Sequence, residues 1–568
     1  MKEKILISQR RKQFNNLDKL PVYDRSLVDY SRYNKSIGHA GVKYSMAIQA
    51  TRGCPYRCFY CDVYKTTLHH HRRSVDNIFD EVKKIVDLGV KRIEFIDDIF
   101  NVKAKDFINF FNKVIKSNLK VKFFFPTALK GDLLTKEIID IMMKGGAVGV
   151  NVSLESASPR MQKVMRKYLN IEKFKENLEY ICKQYPEAVT TLNTMHGFPT
   201  EKEEEALMTL NFIKEMKWIH FPYLHVVRIL PGTDLEKFAL DHGVPRKAIN
   251  ESIDRSYHQV TPTLPFSKKF TEDFKIDFLR EYVLKKERLL KVLPIQMQHF
   301  TEDELNQKYS SYFPTKIKSL KDVLKIAHIT DDELKIKCLA EKEIEIPNLK
   351  EKIKKVYPVK KTNPDALRML LINISTYFTK DRNISEYDVL EPPLGLIALL
   401  SYVNRVFGEK INGKIIKSRV DFDSYQELNK IVDNFNPDII GISTMTFHKN
   451  FFHQAIKNIR DHGYKKMIIA GGPHPTTSYN EVLEDKNIDL CVIGEGEATL
   501  SEIIKKLIIT DKKKLHHDDI ANIDGIAFVK DDRYYERLTS NDLSEDIKES
   551  KSEEVSKIVP IYRYSKRK

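Results

Sequence analysis

The sequence predicts a two-part α/β protein. A parallel sheet with crossover helices, curled or closed into a barrel, is followed by a helical region and then a doubly wound open sheet. Three observations predict it. Strand-like and helix-like segments alternate from Lys43 to Leu230, a second alternation runs from Met369 to Ile508, and three cysteines crowd into positions 54–61 just after the first strand-like run.

Taken in order, residues 1–42 are polar and irregular and read as an N-terminal linker that includes Leu17-Asp18-Lys19-Leu20-Pro21. Residues 44–51 form the first strand, and residues 75–88 place Ile78, Val82, Ile85 and Val86 at a helical period. The series continues with a strand at 92–96, a helix at 105–117, a strand at 121–125 and a helix at 135–143, which Gly145-Gly146 stops. A strand at 148–154, a helix at 171–183, a strand at 189–195, a helix at 201–217 and a strand at 220–230 bring the series to six strands, giving a domain over 43–244. In such folds chemistry sits at the C-terminal ends of the strands, where the cysteines fall.

Residues 245–365 read as charged amphipathic helices that connect the two parts and carry no evident chemistry, with a hinge at 358–364. The second domain, 366–540, has strands at 369–374, 414–419, 438–443, 466–470 and 490–493. Helices at 394–406, 425–435, 451–462, 479–485 and 500–508 alternate with them. Residues 524–537 read as a terminal hairpin and 541–568 as a charged tail.

At 568 residues the chain is long enough for two to four domains. Its 95 basic against 79 acidic side chains give a net charge of +16, but segments such as Lys350-Glu351-Lys352-Ile353-Lys354-Lys355 interleave the signs, as on a solvated surface. No basic motif interleaved with aromatics appears, which disfavours a nucleic-acid partner. Cys182, Cys338 and Cys491 stand singly, so no disulfide framework is visible. No apolar run reaches about 18 residues. A cytoplasmic protein without a membrane span is expected.

The chemistry concentrates in Arg52-Gly53-Cys54-Pro55-Tyr56-Arg57-Cys58-Phe59-Tyr60-Cys61. Three thiolates at this spacing can grip one metal centre and leave a four-coordinate site one ligand short, an open position for chemistry. A zinc ion with His69, His70 or His71 as the fourth ligand is the alternative.

The Cys54-x3-Cys58-x2-Cys61 spacing, with Tyr60 before the last cysteine, resembles the signature of the radical S-adenosylmethionine (SAM) superfamily. The resemblance implies a partial (βα)6 barrel in which Cys54, Cys58 and Cys61 bind three irons of a [4Fe-4S] cluster while SAM chelates the fourth. Asp97 and Asp98, at the end of the second strand, resemble the cobalamin-dependent branch; they would accept a hydrogen bond from SAM or substrate, or else cap a helix. Val152-Ser153-Leu154-Glu155-Ser156 is similar to the strand near the SAM ribose and amino acid moiety, with Ser153-Leu154 where Gly-Ile is common. Glu155, an acid in an apolar strand, needs a partner. The loops containing Gly197 and Pro231 resemble later family loops, or serve turn geometry alone.

Four further segments follow strands or open helices in the second domain: one around Leu394-Gly395, one at Ser443-Thr444, one at Gly471-Gly472-Pro473-His474 and one at Gly494-Glu495-Gly496. Bare backbone amides at such places can approach a bulky polar ligand. Together they resemble a Rossmann-like cobalamin-binding domain of the same branch. The Asp-x-His-x-x-Gly motif that supplies a histidine to cobalt in other cobalamin proteins is absent. His474 is then either a ligand or a loop histidine hydrogen-bonded to backbone or to a corrin amide.

The resemblance implies a radical SAM enzyme using a [4Fe-4S] cluster, S-adenosyl-L-methionine and cobalamin, most simply a methyltransferase acting on an unactivated carbon. The reduced cluster would cleave SAM to a 5′-deoxyadenosyl radical, which takes hydrogen from substrate, and the substrate radical would take methyl from methylcobalamin. It also implies an electron donor such as flavodoxin or ferredoxin. A non-methylating rearrangement or oxidation is the alternative within enzymes; an iron-sulfur or zinc nucleic-acid-binding module is the alternative outside them. The cobalamin-like domain follows the barrel instead of preceding it, so the corrin serving this cluster is carried by the same chain or by a second copy in a homodimer.

Overall fold

The computed structural model describes residues 5–33, 44–253, 255, 259–313, 319–330, 332–334, 346–358, 360–375, 377–381, 390–510, 515 and 517–530. Cys338, the 541–568 tail and residues 531–537 of the expected hairpin lie outside them. Contacts divide the chain into two units: one comprises 13–359 and 379–394, the other 1–12, 360–378 and 395–568. Strand β1 (Ile5–Ile7) belongs to the second unit, and β2 (Ser45–Ile48) through β9 (Phe221–Val226) to the first.

In the first unit, β2, β5 (Arg92–Phe95), β6 (Lys122–Leu129), β7 (Ala147–Glu155), β8 (Val189–His196) and β9 form one six-stranded sheet in sequence order. All five neighbouring pairs are parallel. The short strands β3 (Thr51–Arg52) and β4 (His71–Arg72) pair separately, antiparallel, at the root of the cysteine loop. The crossover helices bury the apolar faces that their periods predict. Helix Ala104–Ser117 buries Phe107, Phe110, Phe111 and Val114 and stops at Asn118 in the left-handed region. Its rings meet Phe95, Phe100, Phe123 and Phe125, with the Phe95 and Phe100 centroids 4.6 Å apart. At about 2–3 kcal/mol for each fully buried phenylalanine, this cluster anchors the first half of the sheet.

Two expectations need correction. Residues 13–33 are not a loose linker: Arg25 is fully buried, donating to Glu81 (2.8 Å), to the Ala47 carbonyl (2.8 Å) and to the Tyr30 hydroxyl (2.9 Å), while Arg73 holds the other Glu81 oxygen at 2.6 Å. A buried arginine without that carboxylate would be prohibitively costly, so the pair fixes the N-terminal segment to helix Val75–Asp87. Nor are residues 245–357 a mere connector. Phe274, Tyr282, Leu289, Leu293, Leu305 and Tyr309 join the same core as the sheet. Helix amphipathicity predicted a buried face there but not what it is buried against.

In the second unit, β10 (Leu367–Asn373), β11 (Ile411–Lys417), β12 (Ile439–Ser443), β13 (Met467–Gly471), β14 (Leu490–Val492) and β15 (Ile526–Val529) join β1 in the order β11-β10-β12-β13-β14-β15-β1. The first five are parallel. The order reverses between β10 and β12, the switch point at which doubly wound sheets bind ligands. Within the described part of the expected hairpin, β15 runs antiparallel between β14 and β1. The N-terminus thus covers an edge that would otherwise expose unpaired backbone, and Arg11 secures it with an ion pair to Glu502 (2.6 Å). No helix among the described residues is long and apolar enough to cross a membrane.

Candidate active site and second ligand edge

The cysteine loop leaves β3 through Gly53, whose φ is +79°. A Cβ there would stand 2.5 Å from the His69 carbonyl oxygen, so only glycine fits. Phe59 anchors the loop. Its N–H donates to the Met165 carbonyl (3.0 Å), its carbonyl accepts from Leu235 N–H (2.8 Å), and its ring stacks on Phe198 at 5.9 Å and meets Phe238 edge-on. The three thiols form no disulfide. Burial pushes all three up, Cys54 to about 11, and at Cys58 the nearby Lys167 charge offsets part of the rise. A bound cationic metal centre would reverse that balance and hold them as thiolates.

Asp97 and Asp98 brace the loop's root. Asp97 accepts from the Thr51 N–H and, at 2.6 Å, from the Thr51 hydroxyl, and Asp98 accepts from Gly53 N–H at 3.0 Å. Neither caps a helix; the next one, Ala104–Ser117, starts from Lys103. Asp97 is fully buried with Oδ2 unpartnered, and burial pushes its carboxyl up to about 6 against the Thr51 donors. Glu155 finds the partners that an acid in an apolar strand requires: Lys167 Nζ at 2.8 Å and the Tyr60 hydroxyl at 3.2 Å. Its φ of +64°, rare for a residue with a side chain, turns β7 at its end and stores strain typical of functional positions.

Below these groups the sheet encloses a cavity of about 570 Å³. Tyr60, Cys61, Ser153, Glu155 and Leu230 stand at its upper wall, with Pro231 following Leu230 in the turn that Thr233 closes. Its floor comes from the helical region through Phe300, Lys308 and Ser311, where chemistry was not expected. Gly197 does not line the cavity: it sits in a turn (φ +88°) whose amide donates to Glu201 at 2.6 Å. Of the expected residues, the structure therefore gathers Cys61, Tyr60, Ser153 and Glu155 on one cavity, puts Asp97 and Asp98 beneath the cysteine loop, and leaves Gly197 to turn geometry.

At the C-terminal edge of the second sheet, Ser443 ends β12 with Thr444 after it, and Gly471 ends β13 with Gly472 after it. The Thr444 N–H donates to the Gly471 carbonyl (3.1 Å) and Gly494 N–H to the Thr476 hydroxyl (3.1 Å), which ties three strand ends together. Gly472 has φ +96° and ψ −171°, and a Cβ there would press on Thr444 O at 3.0 Å. At Gly471 and Gly395 a Cβ would meet nothing within 4 Å, leaving open space above the edge. Leu394 and Gly395 open the helix after β10, and Glu495 immediately precedes the helix that Gly496 begins, without a side-chain capping bond. His474 is not in a loop. It lies in the first turn of helix Pro473–Val482, because Pro473 suits the first helical position. Its ring is fully buried with both nitrogens unpartnered, and burial lowers it to about 4, so it is a neutral imidazole.

Residues 48–213 match the radical SAM superfamily, and residues 391–504 match the B12 binding domain. The chain carries a radical SAM domain followed by a B12-binding domain. An uncharacterized methyltransferase of Pyrococcus horikoshii is 24% identical over 48% of this chain and 56% of its own. The tRNA-2-methylthio-N(6)-dimethylallyladenosine synthase of Aquifex aeolicus is 26% identical over 36% of this chain and 46% of its own. The chain thus spans about half the length of the curated relatives it matches. The solved radical S-adenosylmethionine methyltransferase TsrM of Kitasatospora setae, 18% identical, covers 38% of this chain and 40% of its own with a TM-score of 0.34, too loose a likeness to bear on the site.

The radical SAM domain implies a [4Fe-4S] cluster and SAM, and the B12-binding domain implies cobalamin. The residues present fit both. Among the described residues no three His, Cys, Asp or Glu side chains converge as one metal ion requires, whereas three thiols on one loop can each meet a separate iron of a cluster. The zinc alternative therefore has no convergent ligand set here; His70 instead lies 3.3 Å from the Ile99 carbonyl. On the B12-binding domain, the open space above Gly471 and the unpaired His474 ring suit a bulky ligand with hydrogen-bonding groups. Sequence reading missed Phe59 and Lys167. Phe59 was legible only as an aromatic between two cysteines, and nothing distinguishes Lys167 among the many lysines.

Proposed function

We propose that this protein is a cobalamin-dependent radical SAM methyltransferase acting on an unactivated carbon. The observation that carries the reading is a three-cysteine loop at the C-terminal end of a parallel sheet, beside a largely apolar cavity, in a chain that also holds a B12-binding domain. When bound, the cluster with SAM supplies hydrogen-atom abstraction from carbon, and cobalamin supplies the methyl group.

The chain's own residues hold and orient. Cys54, Cys58 and Cys61 hold the cluster, and Phe59 keeps the loop from drifting. Glu155, held by Lys167 and Tyr60, presents a fixed carboxylate to the hydrogen-bonding groups of SAM, and Ser153 lies one inward-facing position below it. Asp97 and Asp98 set the loop's height above the sheet. Phe124, Phe125 and Tyr223 line the cavity with apolar surface, which excludes water from a reactive carbon centre. Ser443, Thr444, Gly471, Gly472, Gly494 and Gly496 offer backbone and hydroxyl groups to cobalamin, and His474 offers a neutral imidazole. A low-potential donor such as flavodoxin or ferredoxin supplies the electron, and the cytoplasm supplies the reducing surroundings.

Anaerobic reconstitution with iron, sulfide and cobalamin, followed by an absorption spectrum and analysis of SAM products, tests the reading. Methyl transfer yields both S-adenosylhomocysteine and 5′-deoxyadenosine. 5′-Deoxyadenosine alone would replace methylation with a rearrangement or oxidation, and neither product with a loaded cluster would overturn the reading.

A further inference from the structure

Midway down the cavity, polar side chains from neighbouring strands form a continuous belt. Pro126 interrupts β6, and the pairing of β6 with β7 shifts register between Phe125 and Leu129, which frees the Pro126 carbonyl. Asn151 on β7 donates its Nδ2 to that carbonyl at 2.6 Å. A carbonyl can only accept, so this contact orients the Asn151 amide and turns its Oδ1 toward β8. There Asn193 donates Nδ2 to it at 2.7 Å, and the Asn193 Oδ1 is left facing His225 Nε2 on β9 at 3.4 Å. His225 must then carry its proton on Nε2, and the donors run in one direction from His225 through Asn193 and Asn151 to Pro126.

The belt is uncharged. Burial and the neighbouring Arg228 lower His225 to about 4, so it is neutral. Four charged groups line the cavity: Asp62 and Glu155, the latter paired with Lys167, at the upper wall, Arg228 just beyond β9 with its charge felt at His225, and Lys308 at the floor. Lys308 sits over the rings of Phe221 (4.7 Å) and Phe300 (5.0 Å), near the charges of Glu304 and Glu94. Asn151, Asn193 and His225 are half-buried and line the cavity, so each amide keeps hydrogen-bonding capacity toward its contents. Around them the walls are apolar: Phe125, Met195, Val227 and Tyr223, whose ring stacks on His225 at 5.5 Å. Between Val189 and Met195 the wall extends about 20 Å at roughly 3.3 Å per residue, deep enough for SAM at the top and a second small molecule beneath it.

We infer that the substrate is a largely apolar small molecule whose uncharged amide, lactam or carbonyl group is read by Asn151 and Asn193. This rests on the radical SAM reading for what lies above the belt. At Asn151 and Asn193 a carboxylate would exchange its hydration for uncharged amide partners, the cations of the lining being Arg228, toward the His225 end of the belt, and Lys308 at the floor. A site built to hydrogen-bond a neutral group discriminates strongly against an analogue that cannot match it.

The test uses the full-length, anaerobically reconstituted protein with SAM and two isosteric probes, 2-naphthamide and 2-naphthoate, followed by equilibrium dialysis. The naphthamide should bind at least tenfold more tightly than the naphthoate. Asn193→Leu should weaken naphthamide binding at least tenfold, and the isosteric Asn193→Asp should weaken it as well by placing a charge in the belt. Iron content and the thermal transition show that each variant is folded. The inference is overturned if naphthoate binds as tightly as naphthamide, if both variants bind naphthamide like the wild type, or if neither probe binds. Failure of the radical SAM reading is separate: it would appear as wild-type protein that forms no 5′-deoxyadenosine, whatever the probes do.

Discussion

On the proposed reading, the two strand-end edges solve the same problem, holding a large cofactor at the C-terminal rim of a parallel sheet, with opposite means. The first uses side chains. Its ligand atoms are sulfurs, and the loop carrying them is locked by Phe59, Asp97 and Asp98. The second uses backbone. Gly471, Gly472 and Gly494 contribute chiefly by what they lack. A side-chain site fails when one atom is removed, whereas a backbone site fails when one is added.

The largest expected effect lies on the first edge. Cys58→Ala should abolish cluster assembly and all SAM cleavage, read as iron content and as 5′-deoxyadenosine; an alanine variant that still made 5′-deoxyadenosine would refute the cluster assignment. Next comes Phe59→Ala, which leaves every thiol in place but empties a buried aromatic contact. It should cost about 3 kcal/mol, seen as a lower denaturation midpoint and poor cluster retention. If Phe59→Ala retained the cluster like the wild type, the loop would be held by its metal alone and the comparison would lose its packing half.

That contrast also explains what the sequence made legible. The cysteine spacing and the strand preceding it located the first edge, because side-chain chemistry is written in residue identity. Both sheets were visible in the alternation of periods, and helix 425–435 falls where the pattern put it. The anchors were not visible. Arg25 and Glu81 are far apart in sequence, and a lysine such as Lys167 acquires meaning only when folding brings it to Glu155. The cavity floor was invisible for the same reason: Phe300, Lys308 and Ser311 sit in amphipathic helices whose buried face could have met anything. His474 read as a loop residue because the glycines and prolines around it punctuate, and here Pro473 starts a helix rather than ending one.

Adding an atom tests the second edge. Gly472 occupies a backbone region open essentially to glycine alone, so Gly472→Ala should cost about 1–3 kcal/mol in stability and reduce cobalamin retention on gel filtration. Gly471→Ala meets no protein atom within 4 Å and should leave the thermal transition unchanged. If Gly471→Ala nevertheless reduces cobalamin retention, the open space above it belongs to the ligand. Equal thermal effects of the two substitutions would dissolve the distinction between a glycine required by the fold and one required by the cofactor.

The smallest effect sharpens the comparison from inside the first unit, where one turn also presents bare amides. The N–H groups of Gly197 and Phe198 point at Glu201 Oε2, at 2.6 and 3.1 Å, so here a side chain of the protein takes the place a ligand would take on the second sheet. The arrangement is imperfect. Glu201 is buried, its Oε1 has no hydrogen-bond partner, and burial pushes the carboxyl up to about 8 despite both amides. A raised native pKa means the folded state holds a proton that the unfolded state has released, so stability is full below the unfolded value near 4.5 and is lost as pH rises toward 8. From pH 7 to pH 9 this group alone should remove about 1 kcal/mol. Glu201→Gln keeps an oxygen for both amides and does not titrate, so its melting temperature should gain on the wild type steadily across that interval. A gap that stays constant with pH would mean that Glu201 is already ionised at neutrality, its charge held by the two turn amides.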